Sequence, residues 1–143
     1  NNGKLIEYAG DRLYAAFGFD KKIAEAVNDA VNAGNEICSE LKSMNENYIT
    51  KYFDEEIKVG IGLHAGKVIV GMKGIEEVSL TVMGFAVNIA SRLEEATKEL
   101  NNNFIISETA YGYLKDEEAE KKQIFLRGVT KSIDVRLIGE KYF

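Results

Sequence analysis

Hydrophobic and polar positions run along this chain in two rhythms, and the changes of rhythm mark its elements. Residues 4–8 and 12–17 read as short strands around Ala9-Gly10-Asp11, which predicts a hairpin with Asp11 at its tip. Ile23, Val27, Ala30, Val31, Gly34, Ile37, Cys38 and Leu41 then recur at helical spacing. They predict the longest helix, capped by Asp20 and ending near Ser43. Residues 45–56 are polar, rich in Asn and Glu, and read as a loop that can include a last turn of helix. Ile57, Val59, Ile61 and Leu63 alternate with Lys58, Gly60, Gly62 and His64, the period of a strand with one apolar face. Its glycines leave room for a helix or a ligand to pack close. After an Ala65-Gly66 turn, residues 67–71 continue extended, and residues 78–83 form a further strand. Gly84 allows a sharp turn into a helix whose apolar stripe is Ile89, Leu93, Ala96 and Leu100. Asn101-Asn102-Asn103 ends that helix. Residues 104–106 read as a buried strand, Ser107 opens a short helix through Leu114, and residues 115–122 are a charged loop. Residues 123–126 and 133–138 close the chain as paired strands.

The order is β-β-α-β-β-α-β-α-β-β. Helices are too few, and hairpins too many, for a doubly wound parallel sheet. A ferredoxin-like α+β sandwich of split βαβ units, with helices on one face, fits best. No repeat, low-complexity segment or second-domain signal interrupts the 143 residues, so they are expected to form one domain. With 45% hydrophobic and 29% charged residues the composition is that of an ordinary globular domain. No apolar run approaches the ~20 residues that span a bilayer. The single cysteine, Cys38, excludes an internal disulfide and suits a reducing, cytoplasmic setting. The net charge of −5 argues against a nucleic-acid backbone as partner but leaves a small phosphate ligand open. The first residues, Asn1-Asn2-Gly3, lack an initiating methionine and lead straight into pattern, as in a piece of a longer protein that an upstream segment could anchor to a membrane.

The candidate chemistry is polar and sparse. Asn88 and Arg92 are four residues apart at the start of a helix, so both point the same way. An amide that orients and a guanidinium with a planar fork of donors suit a phosphate ligand, although the pair also suits ordinary surface. Asp11 at the hairpin tip can hold a hard cation or simply bond its own turn. Lys67, just past the Ala65-Gly66 turn, and Arg127, in the late turn, are cations directed at phosphate or at solvent. His64, the only histidine, has no metal-ligating company nearby and reads as a packed or edge histidine.

Four stretches, in order, resemble the class III nucleotide cyclase catalytic domain, the family of adenylate and guanylate cyclases. Residues 3–11 with Ala15-Ala16-Phe17-Gly18 are similar to its metal-binding hairpin. Residues 59–68 (Val-Gly-Ile-Gly-Leu-His-Ala-Gly-Lys-Val) are similar to its Gly-Ile-His-Thr-Gly strand and turn. Residues 84–92 (Gly-Phe-Ala-Val-Asn-Ile-Ala-Ser-Arg) resemble its Gly-Asp-x-Val-Asn-x-Ala-x-Arg segment, and Leu126-Arg127-Gly128 its late Leu-Lys-Gly. The Gly-Gly-Asp/Glu-Glu-Phe hairpin of diguanylate cyclases is not present.

The resemblance implies a purine nucleoside triphosphate as substrate, 3′,5′-cyclic nucleotide and pyrophosphate as products, and a head-to-tail homodimer whose sites lie between two domains. It implies two Mg²⁺ or Mn²⁺ ions per site, with Asp11 matching the second of two metal-binding aspartates. Asn88 and Arg92 match the amide and arginine that the partner domain supplies, and Lys67 and Arg127 match phosphate contacts. Glu7 and Thr81 match base contacts, and they disagree. Guanylate cyclases carry glutamate where Glu7 stands, whereas Thr81 resembles the threonine of many bacterial adenylate cyclases. A carboxylate accepts from guanine but meets adenine N1 acceptor to acceptor, so Glu7 tilts the expectation towards GTP. Two departures stand out. The first metal aspartate of the family lies on a strand upstream of residue 1, so these residues alone represent a partial domain, lacking the first strand and helices, and are expected to be inactive. Phe85 also replaces the usual aspartate after Gly84. Both leave an alternative, a degenerate cyclase-homology module that dimerises or regulates without turnover.

Overall fold

A computed structural model describes residues 1–77, 79–115, 118–126 and 131–143. The chain forms a hairpin of β1 (Lys4–Ala9) and β2 (Arg12–Ala16), helix α1 (Ile23–Met44), and a π-helical turn at Asn45–Ile49 running into a one-turn helix α2 (Thr50–Tyr52). There follow β3 (Ile61–Leu63), β4 (Ile69–Lys73), β5 (Ser79–Met83), α3 (Phe85–Glu99), β6 (Phe104–Ser107), α4 (Glu108–Tyr111), β7 (Glu120–Phe125) and β8 (Ser132–Leu137). The main sheet has the order β3-β6-β8-β7, with β3 parallel to β6 and the other pairs antiparallel. β1–β2 and β4–β5 are separate antiparallel ribbons. The expected α+β class holds, and among the described residues no helix is long and apolar enough to cross a membrane.

The centre is β6, whose four residues are all buried. Successive side chains of a strand point to opposite faces. Ile105 joins Ile89, Leu93 and Ala96 of α3, together with Ile124 and Val135. Ile106 joins Val27 and Val31 of α1 and Ala110 of α4. Helices therefore cover both faces of the sheet here, not one, and β6 reads as the unbroken apolar run that two-sided burial demands. The predicted close approach at Gly62 is made by a helix: a Cβ there would meet the backbone of Glu94 and Ala90 in α3. Gly34 of α1 plays the same part against the ring of Phe104.

Several local expectations fail for tertiary reasons. Asp20 does not cap α1; Lys22 holds that position with no side-chain cap bond. Ile23 and Ile37, counted on the apolar face, are 46% and 45% exposed, and the buried positions of α1 are Ala26, Val27, Val31 and Gly34. The helical turn allowed for after Ser43 extends further, as far as Tyr52, and the strand expected from Ile57 begins only at Ile61. One residue accounts for much of this. The buried Asn45 side chain donates to Ile57 O at 2.8 Å and accepts from Ile57 N at 3.0 Å. Its amide thus takes the place of a neighbouring strand. The charged run 115–122 was expected to be a loop, but β7 starts at Glu120. It is an edge strand, where charged side chains are tolerated.

Candidate active site

Two elements carry the candidate residues: the strand-to-helix turn at Gly84 and the β1–β2 hairpin. At the turn, Gly84 takes φ 139, ψ 172, a backbone that other residues rarely adopt, and α3 starts at once. A Cβ at Gly84 would lie 3.4 Å from the carbonyl oxygen of Lys67, so the exposed Lys67 stands beside this turn. Thr81 lies half-buried on β5, opposite Gly71 of β4. The first turns of α3 then present Asn88 and Arg92 to one shallow, open cavity of about 280 Å³. Phe85, Ile89, Ser91, Glu95 and Leu126 complete its lining. The pair expected to share a face does so because Ile89, Leu93 and Ala96 anchor the adjacent stripe of α3 in the core.

Asn88 is exposed and no described residue bonds its amide. Arg92 differs. Its Nε donates to the carbonyl oxygen of Phe125 at 2.9 Å, and its two terminal nitrogens donate to the Glu99 carboxylate at 3.0 and 3.3 Å. The guanidinium side chain is 15% exposed while that of Glu99 is 58% exposed. A carboxylate thus occupies the fork of donors that would meet a phosphate.

The hairpin holds the other candidates. Asp11 is at the tip of a two-residue turn in which Gly10 takes φ 64. It is exposed, and no described residue bonds its carboxylate. Glu7 sits exposed on β1 opposite Tyr14, next to an irregularity in the ladder between Leu5 and Glu7. No hydrogen bond or ion pair joins Asp11 or Glu7 to Asn88 or Arg92 among the described residues. Arg127 lies outside the described residues.

Asp11 offers the hard oxygen ligands that suit a divalent cation. Among the described residues no group of three or more His, Cys, Asp or Glu gathers around such an ion. His64 is half-buried, its Nδ1 2.7 Å from Ser107 Oγ, and burial lowers its pKa; this packed histidine agrees with the reading from sequence.

Reading by pattern alone does not find two residues. Glu99 follows Arg92 by seven positions, two turns along the same helix face, so its pairing was open to inspection. Arg12, next to Asp11, donates to Ser91 Oγ at 3.0 Å and lies 3.2 Å from a Glu94 carboxylate oxygen. No local signal links residues so far apart in sequence. The Tyr14 hydroxyl, and after it the Glu94 charge, raise the Arg12 pKa.

Comparison with known proteins places this arrangement. A family model described as the adenylate and guanylate cyclase catalytic domain matches residues 1–139. An adenylate cyclase of Anabaena cylindrica is 33% identical over 147 aligned positions, which cover 94% of this chain and 27% of that protein. The chain therefore spans about a quarter of that curated relative. The structure of a bacterial light-regulated adenylyl cyclase superposes with a TM-score of 0.77 at 26% identity, over 99% of this chain and 41% of the other. The guanylate cyclase domain of RhGC from Catenaria anguillulae, solved in complex with GTP, shares the fold with a TM-score of 0.71 at 22% identity, over 97% and 74% of the two chains. A match along nearly the whole chain, with Asn88 and Arg92 on one cavity after the Gly84 turn, makes this chain a member of the adenylate and guanylate cyclase catalytic domain family.

Proposed function

We propose that the chain serves as the catalytic domain of a purine nucleotide cyclase, acting on GTP or ATP between two head-to-tail copies. The observation that carries this reading is the separation of the candidate residues. Asn88 and Arg92 share one open cavity, Asp11 stands on another element, and among the described residues no hydrogen bond or ion pair joins Asp11 itself to either of them. Two copies arranged head to tail would bring the Asp11 of one to the Asn88 and Arg92 of the other. Exposed apolar side chains on and beside the β4–β5 ribbon, among them Ile69, Met72, Ile75 and Met83, suit such pairing.

In the reaction the ribose 3′-oxygen attacks the α-phosphorus, its proton leaves, and the bond to pyrophosphate breaks. Asn88 would hold the ribose in attack geometry. Arg92, once released from Glu99, would neutralise charge that builds on phosphate oxygens. Lys67 and Arg127 would contact the phosphates, and Glu7 and Thr81 the base, with Glu7 favouring GTP. Asp11 would hold Mg²⁺ or Mn²⁺, which when bound clamps phosphate oxygens and makes the 3′-hydroxyl more acidic.

A second reading is a cyclase-homology module without turnover. Phe85 favours it: the ring is 61% exposed at the rim of the cavity, where the family resemblance expects an aspartate. Incubating the full-length protein with ATP or GTP and Mn²⁺ or Mg²⁺, followed by chromatography of the products, separates the two. Cyclic GMP or cyclic AMP together with pyrophosphate is expected; no cyclic product from either nucleotide would leave the second reading standing.

A further inference from the structure

We propose that Arg12 is a positioning residue that ties the hairpin tip bearing Asp11 to the helix bearing Asn88 and Arg92; its bearing on catalysis rests on the cyclase reading above. The hairpin is a ribbon of its own, with no strand hydrogen bonds to the main sheet among the described residues. Its turn contains Gly10 at φ 64, a residue with no side chain to anchor it. Asp11 beside it makes no side-chain bond to any described residue that would hold the tip. Arg12 follows at once, and its side chain reaches across to α3. Nη1 donates to Ser91 Oγ at 3.0 Å, and Nη2 lies 3.2 Å from Glu94 Oε2 and 3.8 Å from Glu95 Oε1. The contacts fall on two adjacent turns of α3. Ser91 directly precedes Arg92, and both Ser91 and Glu95 line the cavity that holds Asn88 and Arg92.

The tether therefore connects the metal-directed carboxylate to the phosphate-directed face of α3 within one chain. Its side chains are about one-third exposed, 36% for Arg12, 30% for Glu94 and 29% for Glu95. Such a cluster contributes little to global stability. What it restricts is the position of a short, glycine-containing tip, where small displacements are costly for chemistry. In a head-to-tail pair the consequence is specific. The Asp11 and the α3 of one chain serve different sites, so each Arg12 fixes the spacing between the metal half of one site and the phosphate half of the other.

The test uses Arg12→Met, which keeps the length of the side chain and removes its donors, with Arg12→Lys as the conservative variant. Amide hydrogen exchange on the full-length protein gives the first readout. Faster exchange is expected in Arg12→Met at both Gly10–Leu13 and Asn88–Arg92, with protection restored in part by Arg12→Lys and the melting temperature unchanged. Titration with Mn²⁺ alone, followed by electron paramagnetic resonance, gives the second, with an expected loss of about tenfold in affinity, the range seen for groups that orient metal ligands. In turnover, kcat should fall by a similar factor while KM for the nucleotide changes little, because Arg12 bonds Ser91, Glu94 and Glu95 and not the side chains of Asn88 or Arg92. Exchange unchanged at either segment, or a fall in melting temperature that alone accounts for lost activity, overturns the proposal. A wild-type protein that forms no cyclic product would sink the cyclase reading, yet the exchange comparison would still decide whether Arg12 ties the tip to α3.

Discussion

Gly62→Ala is the sharpest single perturbation of the frame that carries the candidate site. Gly62 lies in β3, beside Ile105 of β6, and faces α3. A methyl group there would collide with the backbone nitrogen of Glu94, and would lie 2.5 Å from the carbonyl oxygen of Ala90 and 2.8 Å from Leu93 Cβ. Two of the three obstacles are helix backbone, which cannot swing aside as a side chain can. Relief requires α3 to move off the sheet, and Leu93 and Ala96, both at 0% exposure, would lose contacts as it moved. Added methylenes in a packed core cost about 1–3 kcal/mol and at times more. With backbone as the obstacle the upper end applies, about 3 kcal/mol, or a fall in melting temperature on the order of 10 °C for a domain of this size. Gly112→Ala is the matched control. Gly112 has φ −60 and ψ −16, and its nearest neighbour to a new Cβ is 3.6 Å away, so alanine fits. That change should be neutral or stabilise by about 0.4–1 kcal/mol. Thermal and urea unfolding followed by circular dichroism measure both. If Gly62→Ala costs less than about 1 kcal/mol, α3 does not rest on β3 at this position and the packing argument fails.

Four further outcomes are expected. Arg92→Ala should lower kcat by about 10²–10³, the effect of losing one donor to transition-state charge, and an unaffected rate would refute its role. Glu99→Gln should release Arg92 from an exposed pair of about 0.2–1 kcal/mol, lowering KM for the nucleotide by up to about fivefold; a raised KM would show that Glu99 assists binding. Glu7→Lys should shift preference from GTP towards ATP in a competition assay, and no shift would mean that Glu7 does not read the base. Burial holds the His64 pKa below its ordinary 6.5, so on acidification the unfolded chain takes up this proton first. The contribution is therefore complete above about pH 6.5 and declines as pH falls below it, and a plot of melting temperature against pH should be flatter in this range for His64→Gln.

What could be read from sequence was local or periodic. The hairpin around Gly10, the turn at Gly84, the stripe of Ile89, Leu93 and Ala96, and the shared face of Asn88 and Arg92 each depend on residues within two helical turns or one strand. Each is found where the pattern placed it. The glycines of residues 57–64 were correctly read as sites of close approach, though sequence left open whether a helix or a ligand would approach. The misreadings share a cause. Asn45 bonds both backbone groups of Ile57 across a loop, and so replaces a strand pairing that alternation alone had extended to that residue. The edge strand β7 keeps its ladder despite Glu120, Lys121 and Lys122, because an edge strand leaves charged side chains in water. Both faces of β6 are covered because alternate residues of one short apolar run each found a helix, and three residues are too few to show whether one face or two are buried.

The candidate site divides along the same line. Residue types told what chemistry is on offer, an amide, a guanidinium and a carboxylate, but not what already holds them. Arg92 has three of its five N–H donors engaged by Glu99 and Phe125, whereas Asn88 and Asp11 have no described partner. An arginine that must exchange a carboxylate for a phosphate is selective for a ligand able to displace that carboxylate. An exposed pair is weak enough for a triphosphate with several charges to do so. Asp11 is in the opposite position. Among the described residues none competes for its oxygens, so its usefulness depends on where the tip is held, which in this chain depends on Arg12. The two halves of the site are thus controlled by different means, one by competition and the other by placement. A variant at Glu99 should act on nucleotide affinity, and a variant at Arg12 on metal affinity and turnover. If both variants altered the same constant in the same way, this division would be wrong.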